Sequence, residues 1–252
     1  MRSAIALPEL AAAEPDDIRP VVEIRLGAVR AAHAEGDEPA WALKRSGERS
    51  GGSALLTVAR VARFLVQGGD TIVVEPLPGA SERRVRLFLL GSALGILCFQ
   101  RGLLPLHANA VVAGDGAYAF AGASGAGKST LAGHFARAGY DVLCDDVCAV
   151  SFDAAGRPVV WPGLPRVKLW RDAAEALGHE PASLDRVAED VDKYHVGLPA
   201  PRQNSPVPLR RVYLLERAAE GAAAIEVFRL ERAWGYPAFD GELARLCAHI
   251  AA

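Results

Sequence analysis

Residues 106–150 read LHANAVVAGDGAYAFAGASGAGKSTLAGHFARAGYDVLCDDVCAV, and this stretch decides the fold. At its centre, Gly122-Ala123-Ser124-Gly125-Ala126-Gly127-Lys128-Ser129 satisfies G-x-x-x-x-G-K-[ST] at every fixed position, and Thr130 follows. The run Ala117 to Ala121 before it suits a short buried strand. The run Ser129 to Ala138 after it suits a helix that Gly139 stops. Strand, glycine loop and helix are the context that this motif requires. Three glycines let the backbone curl so that its N–H groups converge on phosphate oxygens. The helix N-terminus adds the positive end of a dipole. In such a loop Lys128 supplies a point charge for the β- and γ-phosphates, and the Ser129 hydroxyl is placed to ligate Mg²⁺. ATP and Mg²⁺ are the cofactors this pattern implies, with Gly122 to Thr130 as the binding residues.

Two further features lie in the same stretch. Tyr140 to Cys144 is a short, mostly apolar run, expected to be a strand, and Asp145-Asp146 follows it. The strand after such a helix tends to end at the carboxyl edge of the sheet, near the phosphate site. One carboxylate there can hold Mg²⁺, directly or through water, and the other can accept a proton from an attacking hydroxyl. Upstream, His107 opens the strand pair that feeds the loop. A lone histidine in such a place is ordinarily structural.

Taken together, His107, the Gly114-Asp115-Gly116 turn, the glycine loop and the Asp-Asp pair resemble the catalytic domain of HPr kinase/phosphorylase. The likeness is closer to the shorter HPr-kinase-like serine kinases found beside ribosomal peptide pathways, including lasso-peptide clusters. It spans about residues 103 to 170 and weakens on either side. The resemblance implies that Lys128 contacts the phosphates and that Asp145 is the base for a serine hydroxyl. It further implies that His107 sits next to Asp145 and that Asp146 lies near the metal. The E-x-R-G-L-G segment of the HPr kinases proper is absent. In its place, Trp161-Pro162-Gly163-Leu164-Pro165-Arg166-Val167-Lys168-Leu169-Trp170 is similar to the P-x-x-P-R-x-K-L-W segment of the shorter kinases. The resemblance therefore does not extend to HPr as substrate or to reverse phosphorolysis. It leaves the oligomeric state open, the HPr kinases being homo-oligomers.

Composition narrows the classes. The chain has 252 residues, 51% hydrophobic and 23% charged, which suffices for a sizeable core. A formal net charge of −2 makes no general case for a nucleic-acid partner. Cys98, Cys144, Cys148 and Cys247 lie mostly in apolar segments, with no C-x-x-C and no matching zinc cluster. Buried free thiols and a cytoplasmic setting are the expectation. The N-terminal MRSAIALPELAAAEPDD lacks the features of a signal peptide.

Along the chain, residues 1–20 are Ala/Pro/Asp-rich and expected to be loosely held. Val21 to Val29 reads as a strand, and residues 33–53 as a polar loop or hairpin anchored by Trp41. Ala62 to Val66 and Thr71 to Val74 read as strands around a Gln67-Gly68-Gly69-Asp70 turn. Ser81 caps a long helix with Glu82 in its first turn and Gly102 past its end. The uncharged run in that helix is 14 residues, Leu87 to Gln100, too short for a membrane span of about 20. A helix buried between the N-terminal strands and the later sheet is expected instead.

After the acidic pair come a strand over 147–153, a turn, a returning strand at 159–161 and a helix over 171–177. Residues 179–208 read as a flap or a plain linker, with Lys193, His195 and Arg202 as candidate contacts. A strand pair over 209–216 and 225–230 and a helix over 242–251 close the chain. The expected architecture is α/β: a P-loop kinase core with a mixed, HPr-kinase-like sheet over residues 103–252, a β-rich lobe over 1–80 and a connecting helix over 81–102.

The leading functional expectation is an ATP-dependent kinase acting on a serine hydroxyl, with a peptide such as a lasso precursor as acceptor. Arg166 and Lys168 are candidates for further cationic contacts, although single charges on a strand are ordinarily solvated. The alternatives are a small-molecule hydroxyl kinase, since the loop wording also resembles adenylylsulfate kinases, and a non-kinase ATPase or regulatory module. An ABC-type ATPase is disfavoured by the lack of an L-S-G-G-Q-like signature.

Overall fold

Alternation of apolar and polar positions builds the first strands. In 62–67 it buries Ala62, Phe64 and Val66, and in 71–76 it buries Ile72 and Val74. Gly68 and Gly69, at φ 60° and 74°, turn the chain between them. The computed structural model describes residues 1–8, 10, 22–29, 41–46, 52–215 and 225–228. It is a mixed α/β architecture that divides into two units, Met1–Pro105 with Asp185–Lys193, and Leu106–Leu184 with Tyr194–Ala252.

The first unit holds β1 (Arg2–Ser3), β2 (Glu23–Leu26), β3 (Trp41–Ser46), β4 (Ser53–Val58), β5 (Ala62–Gln67) and β6 (Thr71–Pro76), in the order β1-β2-β6-β5-β4-β3. Its helix runs as α1 (Glu82–Phe88), a π-helical turn (Leu89–Ala93) and α2 (Leu94–Gln100). Ser81 Oγ accepts from the Arg84 N–H at 3.2 Å, the cap expected from sequence. Val85, Leu89, Ala93 and Leu97 enter the core with Phe64, Ile72 and Val74. Their strict four-residue spacing outruns the 3.6-residue α turn, and the wider π turn takes up the excess. Gln100 is buried but satisfied: its Nε2 donates to Val66 O (3.1 Å), and its Oε1 accepts from Gly69 N (3.0 Å). The helix thus shares the core of the N-terminal strands.

After β7 (Leu104–Leu106), whose last residue opens the second unit, that unit carries β8 (Ala108–Ala113), β9 (Gly116–Gly122), α3 (Lys128–Arg137), β10 (Asp141–Cys144), β11 (Cys148–Phe152), β12 (Pro158–Val160), β13 (Arg166–Trp170), α4 (Arg171–Ala176), β16 (Val207–Leu215) and β17 (Ile225–Phe228). The main sheet is ordered β10-β8-β9-β16-β12-β11-β7, with β17 also on β16. Among its described pairs β9–β16 is parallel and the others are antiparallel, so the sheet is mixed as expected. Both β9 and β10 are antiparallel to β8. They therefore run the same way, and their carboxyl ends share one edge of the sheet. Under this sheet lie Phe120, Ala132, Val142, Val167, Leu169, Ala174 and Leu177. A Cβ on Gly133 would come within 2.6 Å of Leu177 Cδ1, so that glycine sets how closely α3 packs.

The segment expected to be a flap or linker contains β14 (Arg186–Ala188) and β15 (Val191–Gly197), in a three-stranded sheet ordered β13-β15-β14. Ser81 Oγ donates to Glu189 Oε2 at 2.7 Å, and Arg84 pairs with Asp190, so residues 185–193 are tied to the start of α1. Of the residues 1–20 expected to be loosely held, 9 and 11–20 lie outside the described residues, as do the Trp41 side chain and the helix expected over 242–251.

Candidate functional site

The glycine loop joins β9 to α3. Gly125 and Gly127 take φ 82° and 90°, a region that side chains disfavour, so these glycines set the curl. Gly122 pairs with Leu215 of β16, and a Cβ on it would lie 2.5 Å from the Leu215 carbonyl oxygen. Gly127 is the N-cap of α3 and brings no side chain to the first N–H groups of the helix. Lys128 is 6% exposed. Its ammonium donates to Gly122 O (2.8 Å) and Ala123 O (3.0 Å), drawing the loop closed around it.

Buried beneath the loop, Asn109 of β8 donates through Nδ2 to the Lys128 carbonyl oxygen, while its Oδ1 has no hydrogen-bond partner. Sequence reasoning passed over Asn109. Its only signal was a polar residue inside the apolar run ANAVVA.

The acidic pair occupies a tight turn between β10 and β11, in which Val147 N donates to Asp145 O at 3.0 Å. Asp146 takes φ 70°, a left-handed conformation that aspartate tolerates better than most residues. Both oxygens of Asp145 are engaged: Oδ1 accepts from Ser129 Oγ (3.0 Å) and Oδ2 from the Lys168 N–H (3.0 Å). Burial, and then the neighbouring charge of Asp146, push the Asp145 carboxyl up to about 6.

Lys168 also pairs through its ammonium with Asp146. The two side chains are only 13% and 20% exposed. This lysine is therefore not the solvated strand charge that its position suggests. The segment before it explains why. Gly163 N donates to Leu143 O (2.7 Å), and a Cβ on Gly163 would stand 3.0 Å from Cys144 Cβ, so the Trp-Pro-Gly-Leu-Pro run lies flat against the end of β10.

His107 precedes β8 at the same edge. Its Nδ1 lies 3.2 Å from the Asp146 carbonyl oxygen, and because a carbonyl only accepts, Nδ1 carries the proton. The residue keeps an open surface, yet partial desolvation of its ring, followed by the Lys128 charge, lowers its pKa, with Asp146 acting in the opposite sense. The resemblance puts His107 beside Asp145; the hydrogen bond found here runs to Asp146. Ser129, Asp145, Asp146, Lys168 and His107 are thus linked in one chain of contacts next to Lys128. Arg202 pairs with Asp141 at 3.5 Å.

The donor set fits Mg²⁺. It offers a hydroxyl and two carboxylates, all hard oxygen donors, with Lys168 already paired to Asp146. Among the described residues, no group of three or more His, Cys, Asp or Glu side chains is placed to hold a metal ion by itself. An ion here would complete its shell with phosphate oxygens and water, as Mg²⁺ commonly does. Also among the described residues, no helix is long and apolar enough to cross a membrane.

The raised Asp145 pKa has a measurable consequence. An unfolded aspartate ionises near 3.8, so between about pH 4 and 6 the folded protein keeps a proton that the unfolded chain has released. The associated stability is fully present below about pH 4, is lost progressively as the pH rises to about 6, and changes no further above that. Asp145→Asn cannot ionise, and its amide can still donate to Ser129 and accept from Lys168. Its melting temperature is expected to stand closest to the wild type below about pH 4, to gain on it between about pH 4 and 6, and to keep a constant lead above that range, as followed by circular dichroism. A gap of the opposite sign would contradict the burial argument.

No protein-family model matches the chain, and no curated protein matches it.

Proposed function

We propose that the chain is a P-loop phosphotransferase of the HPr-kinase-like kind, an ATP-dependent kinase that phosphorylates a serine hydroxyl on a peptide. The observation that carries this reading is the link from the glycine loop to the acidic pair, Ser129 Oγ to Asp145 Oδ1 at 3.0 Å. It joins a phosphate-binding loop to a carboxylate able to take a proton. The mixed sheet supports the same reading, and so does the shared edge at which β9 and β10 end.

In this reading the serine oxygen attacks the γ-phosphorus, the bond to the β-phosphate oxygen breaks, and ADP leaves. The serine proton passes to Asp145. A carboxyl near 6 suits a base working close to neutrality. Each of its oxygens keeps a second lone pair beyond the hydrogen bond it already accepts. The loop N–H groups from Gly122 to Thr130 and the Lys128 ammonium hold and orient the phosphates. Mg²⁺, held by Ser129 and Asp146, supplies positive charge to those phosphates when bound. A second reading exchanges the two aspartates. It is favoured by the contact of Asp145 with Ser129, the residue expected to ligate the ion.

The test is to incubate the protein with γ-labelled ATP, Mg²⁺, serine-containing peptides and, separately, small hydroxyl compounds. Label on peptide serine supports the proposal, whereas label on a small compound favours the small-molecule alternative. Free phosphate alone favours an ATPase or regulatory module. His107→Ala is expected to lower turnover and shift its pH profile, because the ring sits between the Lys128 and Asp146 charges. A folded variant with the wild-type rate and profile would make His107 structural.

A further inference from the structure

Lys168 touches both members of the acidic pair. Its backbone N–H donates to Asp145 Oδ2 at 3.0 Å, and its ammonium pairs with Asp146 Oδ2. The strand that bears it alternates regularly. Val167 and Leu169 are buried in the core, at 0% and 1% exposure, which turns Lys168 to the opposite face of β13. Its register is set from both sides. Upstream, Gly163 is bonded to Leu143 and packed on Cys144; Leu198 N donates to the Pro165 carbonyl oxygen at 2.8 Å. The lysine is thus delivered to the carboxylates by the fold, and at 13% exposure its charge has little water to turn to.

We propose that Lys168 is a positioning residue and the resident counter-cation of the acidic pair, whose ammonium competes with a divalent ion for Asp146. Its backbone N–H keeps Asp145 oriented whatever the side chain. Its side chain holds Asp146 until a divalent ion takes the carboxylate, and the released ammonium then adds positive charge beside the transferring phosphoryl group. The competition needs only the geometry of the pair; the second effect rests on the kinase reading.

Two measurements separate these parts. The first uses Mn²⁺ alone, an oxygen-site probe whose free ion is counted by electron paramagnetic resonance, on nucleotide-free protein at pH 8. Removing a positive charge next to the ion site should tighten Mn²⁺ binding, by about tenfold or more in Lys168→Met, because the carboxylate no longer has to give up a largely buried partner. Lys168→Arg keeps the charge and should bind Mn²⁺ as the wild type does. Should Lys168→Met fail to fold, Lys168→Gln removes the same charge with a polar side chain. Mn²⁺ affinity unchanged or weaker in the folded, uncharged variant would overturn the counter-cation assignment.

The second measurement is the kcat against KM split for ATP in the γ-label assay. Lys168→Met should lower kcat by about tenfold or more with little change in KM, and Lys168→Arg should restore part of it. A wild type that transfers no label defeats the kinase reading and leaves the Mn²⁺ result standing. A wild type that transfers label, beside a Lys168→Met variant with unchanged kcat, defeats the proposed role of the released ammonium.

Discussion

Lys128→Ala is expected to abolish phosphoryl transfer and to weaken ATP binding about 10- to 100-fold. The affinity loss follows from removing charge-assisted hydrogen bonds to phosphate, worth about 1.5–3 kcal/mol. The loss of transfer is larger, on the order of 10³-fold or more, because the charge developing on the γ-phosphoryl group would meet one cation fewer. The same ammonium bonds the carbonyl oxygens of Gly122 and Ala123, so the substitution also loosens the loop that presents the N–H groups. Circular dichroism and calorimetric titration of ATP check that the fold survives and that affinity falls. Ser129→Ala should act more mildly, raising the Mg²⁺ requirement and releasing Asp145 Oδ1 from its partner. Unchanged turnover in both variants would remove the glycine loop from the mechanism.

The second large effect is expected at the acidic pair, where the two aspartates should fail differently. Asp145→Asn keeps the shape of the side chain, so fold and ATP binding should survive while an amide cannot take the serine proton. Losing a general base typically costs about 10²–10⁴-fold in rate. Asp146→Asn should act through the metal and through Lys168, its ion-pair partner, with a changed Mg²⁺ dependence. Rates at saturating ATP across a Mg²⁺ titration distinguish these outcomes. Near-wild-type turnover in Asp145→Asn would refute its role as base. If only Asp146→Asn loses turnover and excess metal does not restore it, the two roles are exchanged, as the Ser129 contact of Asp145 allows.

The local features were legible because they are written in backbone chemistry. Gly125 and Gly127 hold the positive φ angles that a tight loop demands, Ser81 caps α1, and Gly139 and Gly178 end α3 and α4 at φ 86°. What depended on distant pairing was harder to read. That β10 lies on β8 at the sheet edge is a matter of strand order, and that order is what brings Asp145 to the level of the glycine loop.

Lys168 looked like an ordinary strand charge because its surroundings come from Gly163 packing on Cys144, a contact with no local signature. The partner of His107 was equally hidden: it is the backbone carbonyl of Asp146, and a carbonyl leaves no mark on the choice of side chain. Residues 179–208 read as a flap or a plain linker because the strands within them, β14 and β15, are punctuated by charges, yet Arg84 and Ser81 give Asp190 and Glu189 partners.

The central claim is that this site moves the γ-phosphoryl group of ATP to a serine hydroxyl. The most direct measurement follows γ-labelled ATP with Mg²⁺ and a library of serine-containing peptides, using Lys128→Ala as the control. Label is expected in phosphoserine with the wild type and not with the variant. Label released only as inorganic phosphate, or transferred equally by Lys128→Ala, would contradict it.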